Sequence, residues 1–492
     1  MTTHVPSLAC WFAIGIASLA IAACGGSDHG TVAASAIDQA QASAPVLLTS
    51  RNSGGMAATY TKAGFIDQSN PFFKPFGNGR SCASCHQQSD GWSLTPGGVQ
   101  ARFEQSAGND ALFKAVDGAN SPLADVSTPE AKRAAYSMLL NKGLIRMGLP
   151  IPANAEFELA GVDDPYGYAS GAQLSLFRRP LPAANLKFLS TVMWDAKDTY
   201  KDPTSDLCVK GGADCYSPLD INLARQANHA VMAHAQAAQE LAAEDQAAIV
   251  AFEKQLFTAQ IFDNAAKSLT GAGAKGGPLA LAANDFYFGI NDTDAGDYRT
   301  RARFDPRAMT LYNAWSISAG TATLADPDTP PPEAETLTAA RRAVARGQAI
   351  FNSREIFINN VGGMRTASIR GSCTTCHNAP DAGSRSIPLM LNIGVADAAR
   401  RTPDMPLYTL RHKATGETMQ TTDPGVALHT GKWEEIGRFK VPVLRALASR
   451  PPYFHDGSAK DLGEVVDFYN TRFEMGLSAQ EISDLTAFLK TL

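Results

Sequence analysis

Two pentapeptides, Cys82-Ala83-Ser84-Cys85-His86 and Cys373-Thr374-Thr375-Cys376-His377, constrain this chain more than any other feature. Two thiols on successive turns of backbone can each form a thioether to one porphyrin. The adjoining imidazole can then swing under the same iron. A chain of this composition contains roughly 0.002 such segments by chance, so a pair of them reads as two covalent haem c sites. Cys82, Cys85 and His86 hold the first, and Cys373, Cys376 and His377 the second, each histidine being an iron ligand.

The 492 residues leave room for two or three domains with their own cores. The formal charge of −5 provides no basic field of the kind nucleic acid requires, so that partner class drops out.

The N-terminus reads as a signal for export. An apolar stretch over residues 8–23 is too short to span a bilayer and ends in small residues, as an export signal does. Ile21-Ala22-Ala23-Cys24 has the form of a lipobox, which makes Cys24 the lipidated first residue of a mature periplasmic lipoprotein. The only charged or titratable side chain ahead of the apolar stretch is His4, and a plain cleaved signal is the alternative. In an oxidising compartment Cys208 and Cys215, seven residues apart across a Gly-containing loop, read as a disulfide.

Residues 24–55, rich in Ala, Ser, Gly and Gln, read as a flexible tether. The Pro-rich stretch at 325–336 marks a boundary between an N-terminal haem domain (56–330) and a C-terminal one (331–492). Apolar spacing predicts helices over 244–262 and 338–351. A closing helix follows Ser478, which forms a capping box with Glu481 ahead of the stripe Ile482, Leu485, Phe488 and Leu489. No long alternating pattern stands out, so the expected fold is mostly α: two cytochrome c-like haem domains with long loop insertions.

Residues 439–470, FKVPVLRALASRPPYFHDGSAKDLGEVVDFYN, closely resemble the di-haem cytochrome c peroxidase superfamily. The resemblance extends to Trp194-Asp195, to AIVAFEKQLFTAQ at 248–260 and to ARGQAIF at 345–351. It implies a peroxide-reacting haem at His86 and an electron-entry haem at His377. The second axial ligand of the latter falls on Tyr469, as in the branch of the superfamily that matures methylamine dehydrogenase; Met475 is the competing ligand. A peroxidase of this type carries a blocking His after its first CxxCH, but residues 87–106 contain none, so the first iron is expected to be open.

The resemblance further implies that Trp194 relays charge between the haems and that calcium binds between the domains, through the backbone oxygens of Arg450 and Pro452. The distal glutamate position falls on Gln236, with His234 two residues before it as the candidate proton shuttle. The implied partners are hydrogen peroxide and an external electron donor such as a small cytochrome. A protein or organic substrate oxidised with peroxide is one alternative, and a di-haem cytochrome that only transfers electrons is another.

Overall fold

The computed structural model describes residues 45–209, 212–316 and 333–492. The export signal, Cys24 and most of the proline-rich boundary lie outside the described residues. Of the stretch read as a tether, 24–44 also lies outside, whereas Leu47–Asn52 is a strand paired with Gly55–Tyr60. No helix among the described residues is long and apolar enough to cross a membrane.

The mostly-α expectation is corrected. Helix accounts for 31% of the described residues and strand for 18%, which makes the fold mixed α and β. The strands escaped the pattern because they are short and pair across long sequence distances. Phe157–Asp163 pairs antiparallel with Leu407–His412, which in turn pairs with Thr418–Thr421. Leu174–Arg178 is buried at all five positions, so it shows no alternation at all.

The helix expected over 244–262 ends at Lys254, and Phe257–Asp263 continues as a strand inside a four-stranded antiparallel sheet. Phe257, Thr258, Ile261 and Phe262 are aromatic or β-branched, and tertiary pairing with Gly55–Tyr60 overrides the helical spacing. Cys208 and Cys215 form the expected disulfide, joining two paired two-residue strands.

Where the signal was local it held. Asp461 caps Leu462–Arg472 by accepting from the Glu464 amide, and Ser478 and Glu481 form the capping box of Ala479–Lys490. That last helix packs on Glu333–Ser353 at backbone contact. A Cβ on Gly347 would lie 2.0 Å from the Asp484 carbonyl oxygen, so only glycine allows the crossing. Phe351, Phe488 and Leu489 then form the apolar wall behind the second CxxCH turn.

Candidate haem clefts

Each CxxCH segment is a single 3₁₀ turn, Cys82–Ser84 and Cys373–Thr375, closed by a side chain three residues past its cap. Ser84 Oγ accepts the Ser81 amide, and Thr375 Oγ1 accepts the Ser372 amide. The turn returns the second cysteine and the histidine toward the same space as the first. His86 Nδ1 is bonded to the Trp92 carbonyl at 3.0 Å and His377 Nδ1 to the Gly383 carbonyl at 2.6 Å. Both bonds fix the ring and leave Nε2 as the free nitrogen, the arrangement an axial imidazole needs.

Burial pushes His377 down to about 4, overcoming the opposing Gly383 carbonyl, so its ring is neutral and able to ligate. His86 is shifted down for the same reason. The thiols of Cys82 and Cys373 are each pushed up to about 12, chiefly by burial.

The Cys82 turn faces a cleft of about 1430 Å³, its mouth included, walled by apolar residues such as Leu186, Leu189, Val231 and Ile249. The Cys373 turn faces a second of about 1660 Å³, walled by Phe351, Leu391, Val466 and Leu485. Two thiols, a fixed imidazole and an apolar hollow fit a c-type haem at each turn.

No protein-family model matches the chain. Over 167 residues it is 30% identical to a cytochrome-c peroxidase of Pseudomonas sp. (strain SCT), a match covering 30% of this chain and 39% of that protein. It is also 32% identical over 121 residues to the cytochrome c551 peroxidase of Nitrosomonas europaea, covering 24% and 30%. Over these stretches the chain is similar to cytochrome c peroxidases. The matched regions span about two fifths, or less, of those proteins' length. A solved structure of a MauG-like protein associated with microbial copper homeostasis aligns over 86% of each chain, at 17% identity and a TM-score of 0.35. The similarity to cytochrome c peroxidases implies covalently bound c-type haem.

Trp194 lines both clefts. Its indole N–H donates to the Arg179 carbonyl at 2.8 Å, and its ring lies edge-on to His455, 6.4 Å between centroids. Tyr469 and Met475 both line the second cleft. Burial and the nearby Cys376 and Cys373 thiols push the Tyr469 hydroxyl well above its ordinary range.

His234 caps the C-terminus of Leu219–Ala233 and lines the first cleft, its Nδ1 bonded to Asp117 at 2.6 Å. Gln236 does not join it. Two residues past the helix end the chain has turned, at φ 51°, and Gln236 is exposed, accepting from Asn78 outside the cleft. Counting along a helix loses its register once the helix stops, so the chain carries Gln236 away from the cleft that His234 lines.

The sequence reading missed Glu253. It is 6% exposed, lines the first cleft, and its Oε2 is buried with no hydrogen-bond partner. One signal could have found it, since it sits four residues after Ile249 and beside Phe252 on an apolar helix face. Burial pushes its carboxyl from 4.5 up to about 8. A carboxyl that holds its proton more tightly when folded lowers stability as pH rises from 4.5 to about 8. Glu253→Gln is therefore expected to stabilise the protein by ~3 kcal/mol at neutral pH and hardly at all at pH ~4. Denaturant unfolding across that pH range measures the difference; a gain independent of pH would refute the assignment.

Proposed function

We propose that this chain is an exported, lipid-anchored di-haem c-type oxidoreductase. It reduces hydrogen peroxide at the iron held by His86, in the N-terminal part of the chain (56–330). The haem held by His377 and Tyr469, in the C-terminal part (331–492), stores or relays oxidising equivalents. The observation that carries this reading is Trp194, a single indole lining two clefts that each contain a fixed imidazole and two thiols.

Bound haem iron supplies the electron exchange with peroxide. The chain's own residues do the rest. His86 and His377 present Nε2, the apolar walls exclude water, and His234 moves a proton in the first cleft with Asp117 orienting it. Trp194 bridges the clefts. The overall reaction consumes one peroxide, two protons and two electrons from an external donor such as a small cytochrome, and yields two waters. Cys24 anchors the protein at the periplasmic side of a membrane.

Tyr469 in the second cleft favours one further reading. An anionic oxygen ligand would favour the oxidised states of a haem there, so an oxidising equivalent delivered by peroxide would be held until a protein or organic substrate supplies the electron.

Stopped-flow mixing of the fully reduced holoprotein with one equivalent of peroxide tests the proposal. Oxidation of both haems within seconds, with steady turnover when a reduced cytochrome is supplied, is the expected result. Single-round oxidation without turnover by any cytochrome, but with turnover of an organic reductant, favours the oxidase reading. No reaction at all would leave a cytochrome that only transfers electrons.

A further inference from the structure

Between the two clefts lies a group of three buried cations, none of which forms an ion pair with a carboxylate among the described residues; Asp90 acts on Arg179 through its charge alone. Arg179 and Lys440 line both clefts, and Arg450 lines the second. Every hydrogen bond recorded for these three side chains goes to a backbone carbonyl. Arg179 donates to Lys142, Leu94 and Arg450, Lys440 to Thr191, and Arg450 to Val443 and Arg445. The Arg450 Nε is buried with no partner. The neighbouring Arg178 shows the contrast, for it is held between the carboxylates of Asp195 and Asp423.

The strain of this arrangement appears in the groups themselves. Burial, and then the charge of Arg450, push Arg179 down to about 9 and Lys440 to about 7. Buried charge without a counter-ion is costly, and the group shifts toward its neutral form unless an opposite charge arrives.

The calcium site expected at the backbone oxygens of Arg450 and Pro452 does not fit this junction. Calcium needs six to eight oxygens, several of them anionic. The Arg450 oxygen already accepts an N–H from Arg179 at 3.2 Å, and three cations crowd the place. Among the described residues no group of three His, Cys, Asp or Glu side chains gathers to hold a metal.

We propose that the junction is a carboxylate-binding site, in which Arg179, Lys440 and Arg450 receive propionates of the two haems and the Arg179 guanidinium takes the place of calcium. This rests on the reading that both CxxCH turns carry haem. Each haem brings two propionates, which are the anions that a cation cluster shared by two haem clefts would meet. Arg179 and Lys440 serve both groups, and Arg450 serves the second alone.

The test uses the purified holoprotein, with haem counted as the pyridine haemochrome on every sample. Calcium is measured by elemental analysis, and both midpoint potentials are measured for wild type, Arg179→Gln, Arg179→Lys, Lys440→Met and Arg450→Gln. Removing a cation beside a propionate favours the ferric form. Potentials of both haems should therefore fall in Arg179→Gln and Lys440→Met, and only that of the second in Arg450→Gln. Arg179→Lys keeps the charge and serves where the glutamine variant fails to load haem; it should retain wild-type potentials.

Calcium should be far below one per chain, with spectra and potentials indifferent to a chelator or to added calcium. One calcium per chain, whose removal alters the spectrum, would overturn the proposal, as would two haems with unmoved potentials. One haem per chain would overturn the two-haem reading as well, so the two failures are distinguishable.

Discussion

Replacing Tyr469 by phenylalanine is expected to change one ferric haem signal in electron paramagnetic resonance and leave the other untouched. The wild-type protein should show a high-spin haem, from the iron at His86 with an open distal side, and a low-spin haem at His377. Only the second should respond. Tyr469 lies on Leu462–Arg472, one turn beyond Val465 and Val466, its ring stacked on Phe473 at 6.2 Å. Burial pushes its hydroxyl up, and the two thiols of the second turn add to the shift. Such a phenol keeps its proton until a metal takes the proton's place, so ligation releases a proton and becomes stronger with pH.

Phenylalanine preserves the stack and removes only the oxygen. The haem should lose its low-spin signature or accept the thioether of Met475, 7% exposed and lining the same cleft. A soft thioether raises the reduction potential relative to an anionic oxygen, so redox titration separates these outcomes. An unaltered low-spin signal in Tyr469→Phe that disappears in Met475→Ala would assign the ligand to Met475.

What could be read in advance follows the range of each interaction. Thioether attachment demands thiols and imidazole at fixed local spacing, so both CxxCH turns were legible. The caps at Asp461 and Ser478 are equally local and stood where the sequence put them. A strand such as Phe157–Asp163 was not legible, because it finds its partner some 250 residues away and no nearby residue encodes that choice.

Polar groups in the clefts lie between these extremes. Glu253 and Lys440 interrupt apolar runs, and a charge inside an apolar stripe is a visible anomaly. Its purpose is not visible, because the hollow it faces is assembled from distant segments. Arg179 was silent for the same reason: its meaning comes from Arg450 and Lys440, more than 250 residues along the chain.

His234→Ala is expected to slow the reaction with peroxide by about a hundredfold or more while leaving haem content unchanged. Cleaving the O–O bond requires a proton to move from one oxygen to the other, and a positioned base of this kind contributes typically 10²–10⁴-fold. His234 is positioned on two sides. Asp117 Oδ2 holds its Nδ1, and its own carbonyl accepts from Arg80 at 3.2 Å and from Asn78 at 2.9 Å. Burial alone would raise the Asp117 carboxyl, but the bonds and charges of His234 and Arg80 outweigh it and hold the group below its ordinary range. Asp117 therefore remains a carboxylate, Nδ1 keeps its proton, and Nε2 is the nitrogen left to exchange one in the cleft. Asp117→Asn weakens that hold without removing the imidazole, so its rate should fall between wild type and His234→Ala. His234→Gln preserves a hydrogen-bonding group but cannot carry the proton, and it should be nearly as slow as alanine. If the glutamine variant kept the wild-type rate, His234 would be only a structural partner of Asp117 and the proton would have to travel by another group. Glu253, in the same cleft with an unpartnered oxygen, is then the residue to replace next.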